Sequence, residues 1–280
     1  MWTLTPRNIS ISVLVLITWI FGSWGLYEIL SDFSTMWPWY IAATFYTILV
    51  NELFTHQICA HRAINVDPNR WTYKILVFLA TVDHGFAPVS GYCKFHENHH
   101  LYADDGSKDN LNWRYHWYNL CTLSPITFLY VRPTDYPDFA NYLETEKAKH
   151  PEILADLWTF FVEENRVVLT VLYWAVLWMI APAFLFYVVL TGRFLYTIFV
   201  TISAIGGHTK LPFGYRNYDT PDESHNNLLF HYICLGLMPS QLQNNHHGNC
   251  AKYSSHWYEV DLGGPVIKLL KPLLTKKQPL

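Results

Sequence analysis

Residues 167–190 read VVLTVLYWAVLWMIAPAFLFYVVL, a long apolar run without a charged side chain. An α-helix needs about 20 apolar residues to cross the hydrocarbon core of a bilayer, which is roughly 30 Å thick. The stretch therefore predicts a membrane span and indicates an integral membrane protein.

Three further apolar stretches extend this prediction to four spans. Residues 9–30 and 37–55 form a first pair joined by a short loop, and residues 194–207 follow the strongest span after Thr191-Gly192-Arg193. The first stretch is too long for a secretory signal, and Trp24 stands where a small-residue cleavage site would be expected. The sequence thus predicts two helical hairpins in the membrane.

The distribution of basic residues predicts the sides of the membrane. Of the nineteen Lys and Arg residues, one precedes the first span, ten lie between the second and third, one lies in the last loop, and seven follow the fourth. Since cytoplasmic loops carry an excess of Lys and Arg, both termini, residues 56–166 and residues 208–280 are predicted to be cytosolic. The membrane would be the cytoplasmic one in a bacterium and the endoplasmic reticulum in a eukaryote.

We therefore expect an all-α integral membrane protein with four transmembrane helices and a cytosolic helical cap, and we treat residues 1–280 as a single domain. Charged residues make up 15% of the chain and aromatic residues 17%, whereas about 25% of an average soluble protein is charged. The net charge is −3, and we find no basic face, so nucleic acid is not an expected partner. Five cysteines without a recognisable spacing are typical of free thiols in a reducing compartment.

Histidine carries the chemical signal of this chain. Eight of the fourteen histidines fall in three motifs and at one isolated position. These are His56-x4-His61, His96-x2-His99-His100, His208, and Gln243-x2-His246-His247. Positions 96, 99 and 100 share one face of a helix. The predicted topology brings all four groups to the cytosolic ends of the spans, at a similar depth.

Neutral imidazole is a common protein ligand for iron, zinc, copper and nickel. The motifs offer more imidazoles than one ion can use, so they predict two metal ions with open positions for a small molecule. Ligand type alone does not choose iron over zinc. Nearby carboxylates could accept the second ring N–H of the histidines; the candidates are Glu52, Glu97, Asp104, Asp105 and Asp109.

These motifs resemble those of the integral-membrane fatty acyl desaturases, specifically the delta-9 type represented by stearoyl-CoA desaturase. In chain order, between about residues 40 and 250, the matching motifs are His56-x4-His61-Arg62, Ala87-Pro88 before His96-x2-His99-His100, Gly214–Thr220, Ser224–Asn227 and Asn244-Asn-His-His247. The resemblance implies a non-haem centre of two iron ions that uses O2 as co-substrate and removes two hydrogens from adjacent methylenes of a fatty acyl chain. It also implies that the metal-binding and catalytic positions are His56, His61, His96, His99, His100, His208, His246 and His247, with Gln243 as a further metal ligand.

Three positions depart from the family pattern. Gln243 stands where the family usually has histidine, Ala204 where it often has asparagine, and Glu97 where it often has a basic residue. Because Glu97 would repel a phosphate or a CoA group, acyl-lipid and acyl carrier protein substrates stay as open as acyl-CoA. We expect a separate electron donor, a ferredoxin or a b-type cytochrome with its reductase, and membrane lipids as the other partners.

Two alternatives stay open beside desaturation. Gln243 and Ala204 favour a related di-iron membrane hydroxylase or acetylenase. A non-catalytic membrane metal-binding or transport protein would place ionisable residues in the middle of its spans, and the predicted spans contain none there. The aromatic stretch Trp113–Tyr118 and the tail 269–277 are interpreted as membrane-surface segments.

Overall fold

The computed structural model describes residues 6–84, 89–105, 109, 153, 156–209, 214–249 and 256–276. The predicted aromatic membrane-surface segment at residues 113–118 lies outside these residues. Within them the secondary structure is helical, with two isolated β-bridges and no strand. The predicted all-α fold is confirmed for this part of the chain.

The first helical hairpin agrees with the sequence prediction. Helix α1 (Pro6–Ser31) is followed at once by α2 (Phe33–Thr47), and α2 continues without a break into a π-helix, π1 (Ile48–Ala60). The predicted spans 9–30 and 37–55 lie within these helices. Asp32 organises the turn between α1 and α2, because its carboxylate accepts hydrogen bonds from two neighbouring hydroxyl groups.

The second pair of helices turns ten residues earlier than predicted. Helix α6 (Arg166–Ile180) ends at Ala181, and Pro182 begins a continuous helix made of α7 (Pro182–Phe184), π2 (Leu185–Leu190) and α8 (Thr191–Gly206). Proline disfavours a helical conformation in the residue before it and suits the first turn of the next helix. The predicted spans 167–190 and 194–207 therefore have the wrong boundaries, and the predicted turn at Thr191–Arg193 is wrong.

Gly192 lies inside this helix and serves helix packing rather than a turn. A Cβ atom at this position would lie 2.8 Å from the carbonyl oxygen of Ala43 in α2. A second close approach occurs at Gly22 in α1, where a Cβ atom would lie 2.5 Å from the carbonyl oxygen of Leu190. Small residues allow the backbones of membrane helices to approach closely, so these glycines let α1 and α2 pack against the helix 182–206.

Two helices of the described part are long and apolar enough to cross a bilayer, Ile9–Ser31 and Pro182–Ser203, and Arg166–Ile180 is a shorter apolar helix. The predicted count of four spans thus stays a prediction. Arg193 lies inside the second of these helices, is 3% exposed, and interacts electrostatically with Asp83. The expectation that no ionisable residue lies in the middle of a span is therefore wrong for this helix.

The remaining helices lie around the C-terminal end of π1. They are α3 (Trp71–His84), α4 (Val89–Tyr102), α5 (Leu157–Glu164), α9 (Leu228–Ile233), a 3₁₀ turn (Pro239–Gln241), α10 (Gln243–Gly248) and α11 (Gly263–Leu274). Phe54 of π1 and Tyr73 and Val77 of α3 are fully buried in the core between these elements. This packing fixes π1 against α4, and these two helices carry the first two histidine motifs.

Candidate metal centre

The π-helix brings the two histidines of the first motif together. Its hydrogen bonds join residues five apart, as between the His61 N–H and the His56 carbonyl oxygen (3.0 Å) and between the Thr55 hydroxyl and the Val50 carbonyl oxygen (3.0 Å). Residues five positions apart thus lie on the same side of the helix. The His56 and His61 Nε2 atoms are 3.2 Å apart. π-helical segments are rare and often occur at functional sites.

Helix α4 places the second motif against the first. The His96 Nε2 atom lies 2.7 Å from Nε2 of His56 and 2.7 Å from Nε2 of His61. The His100 Nε2 atom lies 3.0 Å from Nε2 of both His96 and His246, the latter from α10. The ring nitrogens of this group are turned toward one another. We call the group cluster A; it comprises His56, His61, His96, His100 and His246.

A second group of nitrogen atoms lies beside cluster A. The ligand atoms of His99, His208 and His247 lie within 4.8 Å of one another. The side-chain amide of Gln243 lies 3.1 Å from Nε2 of His208 and 3.0 Å from Nε2 of His247. We call this group cluster B; it comprises His99, His208, Gln243 and His247. The rings of His100 and His247 are 4.4 Å apart between centroids, so the two clusters are adjacent.

The structure therefore brings all nine predicted metal-site residues together in two neighbouring groups. Seven of them fall in the two sets of metal-ligating side chains that the geometry supports, one of four histidines and one of three. His100 and Gln243 complete the two clusters at hydrogen-bond distance. The roles of all nine residues as metal ligands stay predictions.

Four histidines, one in cluster A and three in cluster B, face a buried or partly buried carboxylate with their second nitrogen. The Nδ1···O distances are 3.0 Å for His56–Glu52, 3.0 Å for His99–Asp109, 3.1 Å for His208–Asp104 and 2.9 Å for His247–Asp222. A carboxylate only accepts hydrogen bonds, so Nδ1 carries the proton in each pair. With Nδ1 protonated, the other ring nitrogen, Nε2, is the one available to bind a metal.

This arrangement fits a cation chemically. In cluster B, three Nε2 lone pairs converge in a buried space, and such lone pairs repel one another unless a donor or a cation lies between them. Burial holds the pKa of His96, His100 and His246 well below the ordinary histidine value, and the neighbouring imidazoles lower it further. These three rings of cluster A are therefore neutral at pH 7 and ready to accept metal without releasing protons.

Three of the four carboxylates were among the five candidates from the sequence, and Asp222 was missed. Its partner His247 lies 25 residues further along the chain, so no local spacing connects the two. Burial raises the pKa of the Asp222 carboxyl, but hydrogen bonds from His247 and Ser224 outweigh it and hold that pKa well below its usual range. Asp222 is accordingly ionised and orients His247.

The orientation of the Gln243 amide follows from its other neighbour. Ser203 donates its hydroxyl hydrogen to the Ser240 carbonyl oxygen (2.8 Å), and the same hydroxyl lies 3.4 Å from Gln243 Oε1. One hydroxyl hydrogen does not serve both acceptors, and amide oxygen and nitrogen are assigned from such networks. Turning the amide over lets Ser203 accept from its NH2 group and directs Oε1 at His208 and His247. In that orientation Gln243 offers cluster B an oxygen ligand.

A cavity of about 60 Å³ adjoins both clusters on the side of α8. This volume holds roughly four water-sized molecules. Its remaining wall includes Tyr92, Tyr196, Val200 and Met238, of which the two tyrosines also interact with each other. The space next to the histidines thus has an apolar and aromatic wall opposite a polar one.

The comparison with known families agrees with this geometry. The model of a family described as "Fatty acid desaturase" matches residues 31–266. The chain belongs to the fatty acid desaturase family. The match includes every histidine of clusters A and B, and it confirms the resemblance found in the sequence at the level of the family.

Membership in the fatty acid desaturase family implies an oxidoreductase that acts on fatty acyl chains. The family and the two long apolar helices together associate the chain with a membrane. No curated protein sequence matches the chain. The delta-9 subtype is a finer assignment than the family and stays a prediction.

Proposed function

We propose that the protein is an O2-dependent fatty acyl desaturase with a non-haem centre of two iron ions. The observation that carries this proposal is the pair of adjacent, largely buried groups of converging ring nitrogens, clusters A and B. Two neighbouring ions held mainly by imidazole, with a small cavity at their side, suit the binding of O2 and a methylene group.

The proposed ligands of one ion are the five histidines of cluster A. The proposed ligands of the other are His99, His208 and His247 with Oε1 of Gln243. When bound, the iron ions would supply the activation of O2 and the abstraction of hydrogen from an unactivated methylene. Iron is preferred to zinc because zinc has no redox chemistry.

The protein itself would position the substrate and exclude water. Tyr92, Tyr196, Val200 and Met238 offer an apolar wall on which an acyl segment could rest beside the histidines. Holding one pair of methylenes at a fixed place would select which carbons react. The position of the double bond would then depend on this wall.

The electron balance calls for a partner. Forming one double bond releases two electrons from the acyl chain, and reduction of O2 to two water molecules consumes four. The other two would come from the proposed separate donor, a ferredoxin or a b-type cytochrome with its reductase. We further propose four spans, cytosolic termini, and an acyl chain carried by CoA, a lipid or a carrier protein.

A second candidate keeps the same centre but changes the product. Cluster B has an amide in place of a fourth imidazole, so its ion would be held less strongly than that of cluster A. This asymmetry favours a hydroxylase or an acetylenase as the alternative.

Fatty-acid analysis of a desaturase-deficient host that expresses the chain tests the proposal. The control is the double variant His99→Ala, His100→Ala, expressed to the same level in the membrane. We expect a new monounsaturated acid that is missing from the control. A hydroxylated or acetylenic acid would favour the alternative, and a protein purified without any iron would overturn both.

A further inference from the structure

Glu259, a buried carboxylate outside all the histidine motifs, joins three segments of the chain near cluster B. It is 1% exposed. One of its oxygens accepts from the Tyr215 hydroxyl (2.7 Å) and from the Asn217 amide (2.7 Å). The other accepts from the Asn245 amide (3.0 Å) and from the backbone N–H of His256 (3.0 Å).

All four partners of Glu259 are donors. A carboxylate is an acceptor at every lone pair only when it is ionised, so the site selects a negative charge and excludes a protonated acid or an amide. Burial raises the pKa of the Tyr215 hydroxyl, and its bond to Glu259 raises it further, so Tyr215 stays a donor. Hydrogen bonds to an ionised group are shorter and stronger than neutral ones.

Asn245 transmits this anchoring to α10. Besides donating to Glu259, its side-chain oxygen accepts from Asn217 (2.8 Å) and Asn226 (2.9 Å), and its backbone N–H donates to the Asn226 side-chain oxygen (3.0 Å). Gln243, two residues before Asn245, and His246, the next residue after it, belong to the two clusters. Helix α10 has six residues, too few to hold its own orientation by helical hydrogen bonds.

We propose that Glu259 is a positioning residue for the metal centre. Through Asn245 it sets the orientation of α10 and thereby directs Gln243, His246 and His247 at clusters A and B. This inference rests on the proposed function, because it takes these three residues to be metal ligands. It adds a requirement for an ionised carboxylate downstream of the last histidine motif.

The test is the binding of Co(II) to the purified full-length protein carrying Glu259→Gln. The variant keeps the size of the side chain, but its NH2 group must face donors at two of the four contacts. We expect Co(II) affinity to fall by about tenfold or more, as for other groups that orient metal ligands, and the visible absorption of the bound Co(II) to change. The control is Glu164→Gln, an exposed position on α5.

Two further variants keep the inference falsifiable if Glu259→Gln does not fold. Glu259→Asp keeps the four acceptors but withdraws them by one methylene, so it should fold and still alter the Co(II) spectrum. Adding Asn245→Asp to Glu259→Gln restores a donor–acceptor pair between the two side chains and should recover part of the affinity. A lower unfolding temperature with unchanged affinity and spectrum would mean that Glu259 is merely structural, and would overturn the inference.

The wild-type protein separates this failure from failure of the proposed function. If the wild-type protein binds two Co(II) ions and the Glu259 variants bind them equally well with the same spectrum, only the positioning role is overturned. Wild-type protein that binds no Co(II) and no iron overturns the metal centre itself, and the positioning role with it.

Discussion

Replacing Asp109 by asparagine should weaken one metal site and spare the other. Asp109 is 1% exposed, and its two oxygens have different partners. One lies 3.0 Å from Nδ1 of His99, and the other accepts the backbone N–H of Asp104 (3.0 Å). Asp104, which adopts a left-handed conformation (φ 67°), in turn orients His208. Asp109 thus supports two members of cluster B and none of cluster A.

The size of the effect follows from the hydrogen bonds that asparagine cannot make. If its NH2 group faces Asp104, a buried N–H loses its acceptor, at a cost of about 1–3 kcal/mol. If the NH2 group faces His99, the ring must carry its proton on Nε2, the nitrogen turned toward cluster B. Loss of such an orienting group typically lowers metal affinity by about 10–100-fold, which is about 1.4–2.7 kcal/mol.

A metal titration with a competing chelator measures this effect at both sites. We expect wild-type protein to bind two ions, and Asp109→Asn to keep one affinity while the other falls by about 10–100-fold. Asp219→Asn, an exposed position near cluster B in the sequence, is the matched control. Two unchanged affinities, or an equal loss at both sites, would refute the reasoning that this carboxylate acts on cluster B alone.

Three other predictions follow from burial and packing. Metal-free protein should lose stability as the pH falls, because burial lowers the pKa of His247 to about 4, whereas an unfolded histidine titrates near 6.5. This residue should leave the free energy of unfolding unchanged above pH 6.5 and reduce it by about 3 kcal/mol below pH 4. Chemical denaturation at several pH values measures this, and a flat profile would contradict it. Burial raises the pKa of Asp83 to about 7 even beside Arg193, and Arg193→Met should raise it further, because the positive charge that lowers it is lost. Above pH 7 the variant should therefore be less stable by about 1.4 kcal/mol for each further unit of pKa, and adding Asp83→Asn should restore part of the loss. Thermal unfolding in detergent at pH 8 checks both, and a single variant as stable as wild type would count against the interaction. Gly207→Ala should lower metal affinity at cluster B more than at cluster A, because the added Cβ atom would lie 2.8 Å from Cγ of Gln243. The metal titration with a competing chelator tests this, and a variant with the wild-type affinity at both clusters would disprove it.

The places where sequence and structure disagree have a common cause. Thr191-Gly192-Arg193 has the composition of a turn, yet Gly192 allows α8 to approach Ala43 of α2, and Arg193 lies near Asp83. The actual turn, at Ala181-Pro182, lies in the middle of an apolar run. The partners that decide between the two positions come from distant parts of the chain, so a local pattern does not contain the answer.

The first histidine motif illustrates a local geometry that spacing alone does not specify. His56 and His61 are five residues apart, a separation that does not place two side chains on one face of an α-helix. They meet because the segment from Ile48 to Ala60 is a π-helix. The packing of π1 against α3 and α4 selects this form.

The sequence by itself determined the class of protein and the chemistry of its site. Apolar runs of membrane-spanning length and histidines at fixed spacings are local features, and they predicted an all-α chain, the family and nine candidate site residues. Only the tertiary structure decided where the second hairpin turns, which ring nitrogens share a cluster, that Asp222 faces His247, and that Glu259 contacts Asn245 of α10. These features depend on pairs of residues far apart in the chain, whose contact energies exist only once the helices have packed.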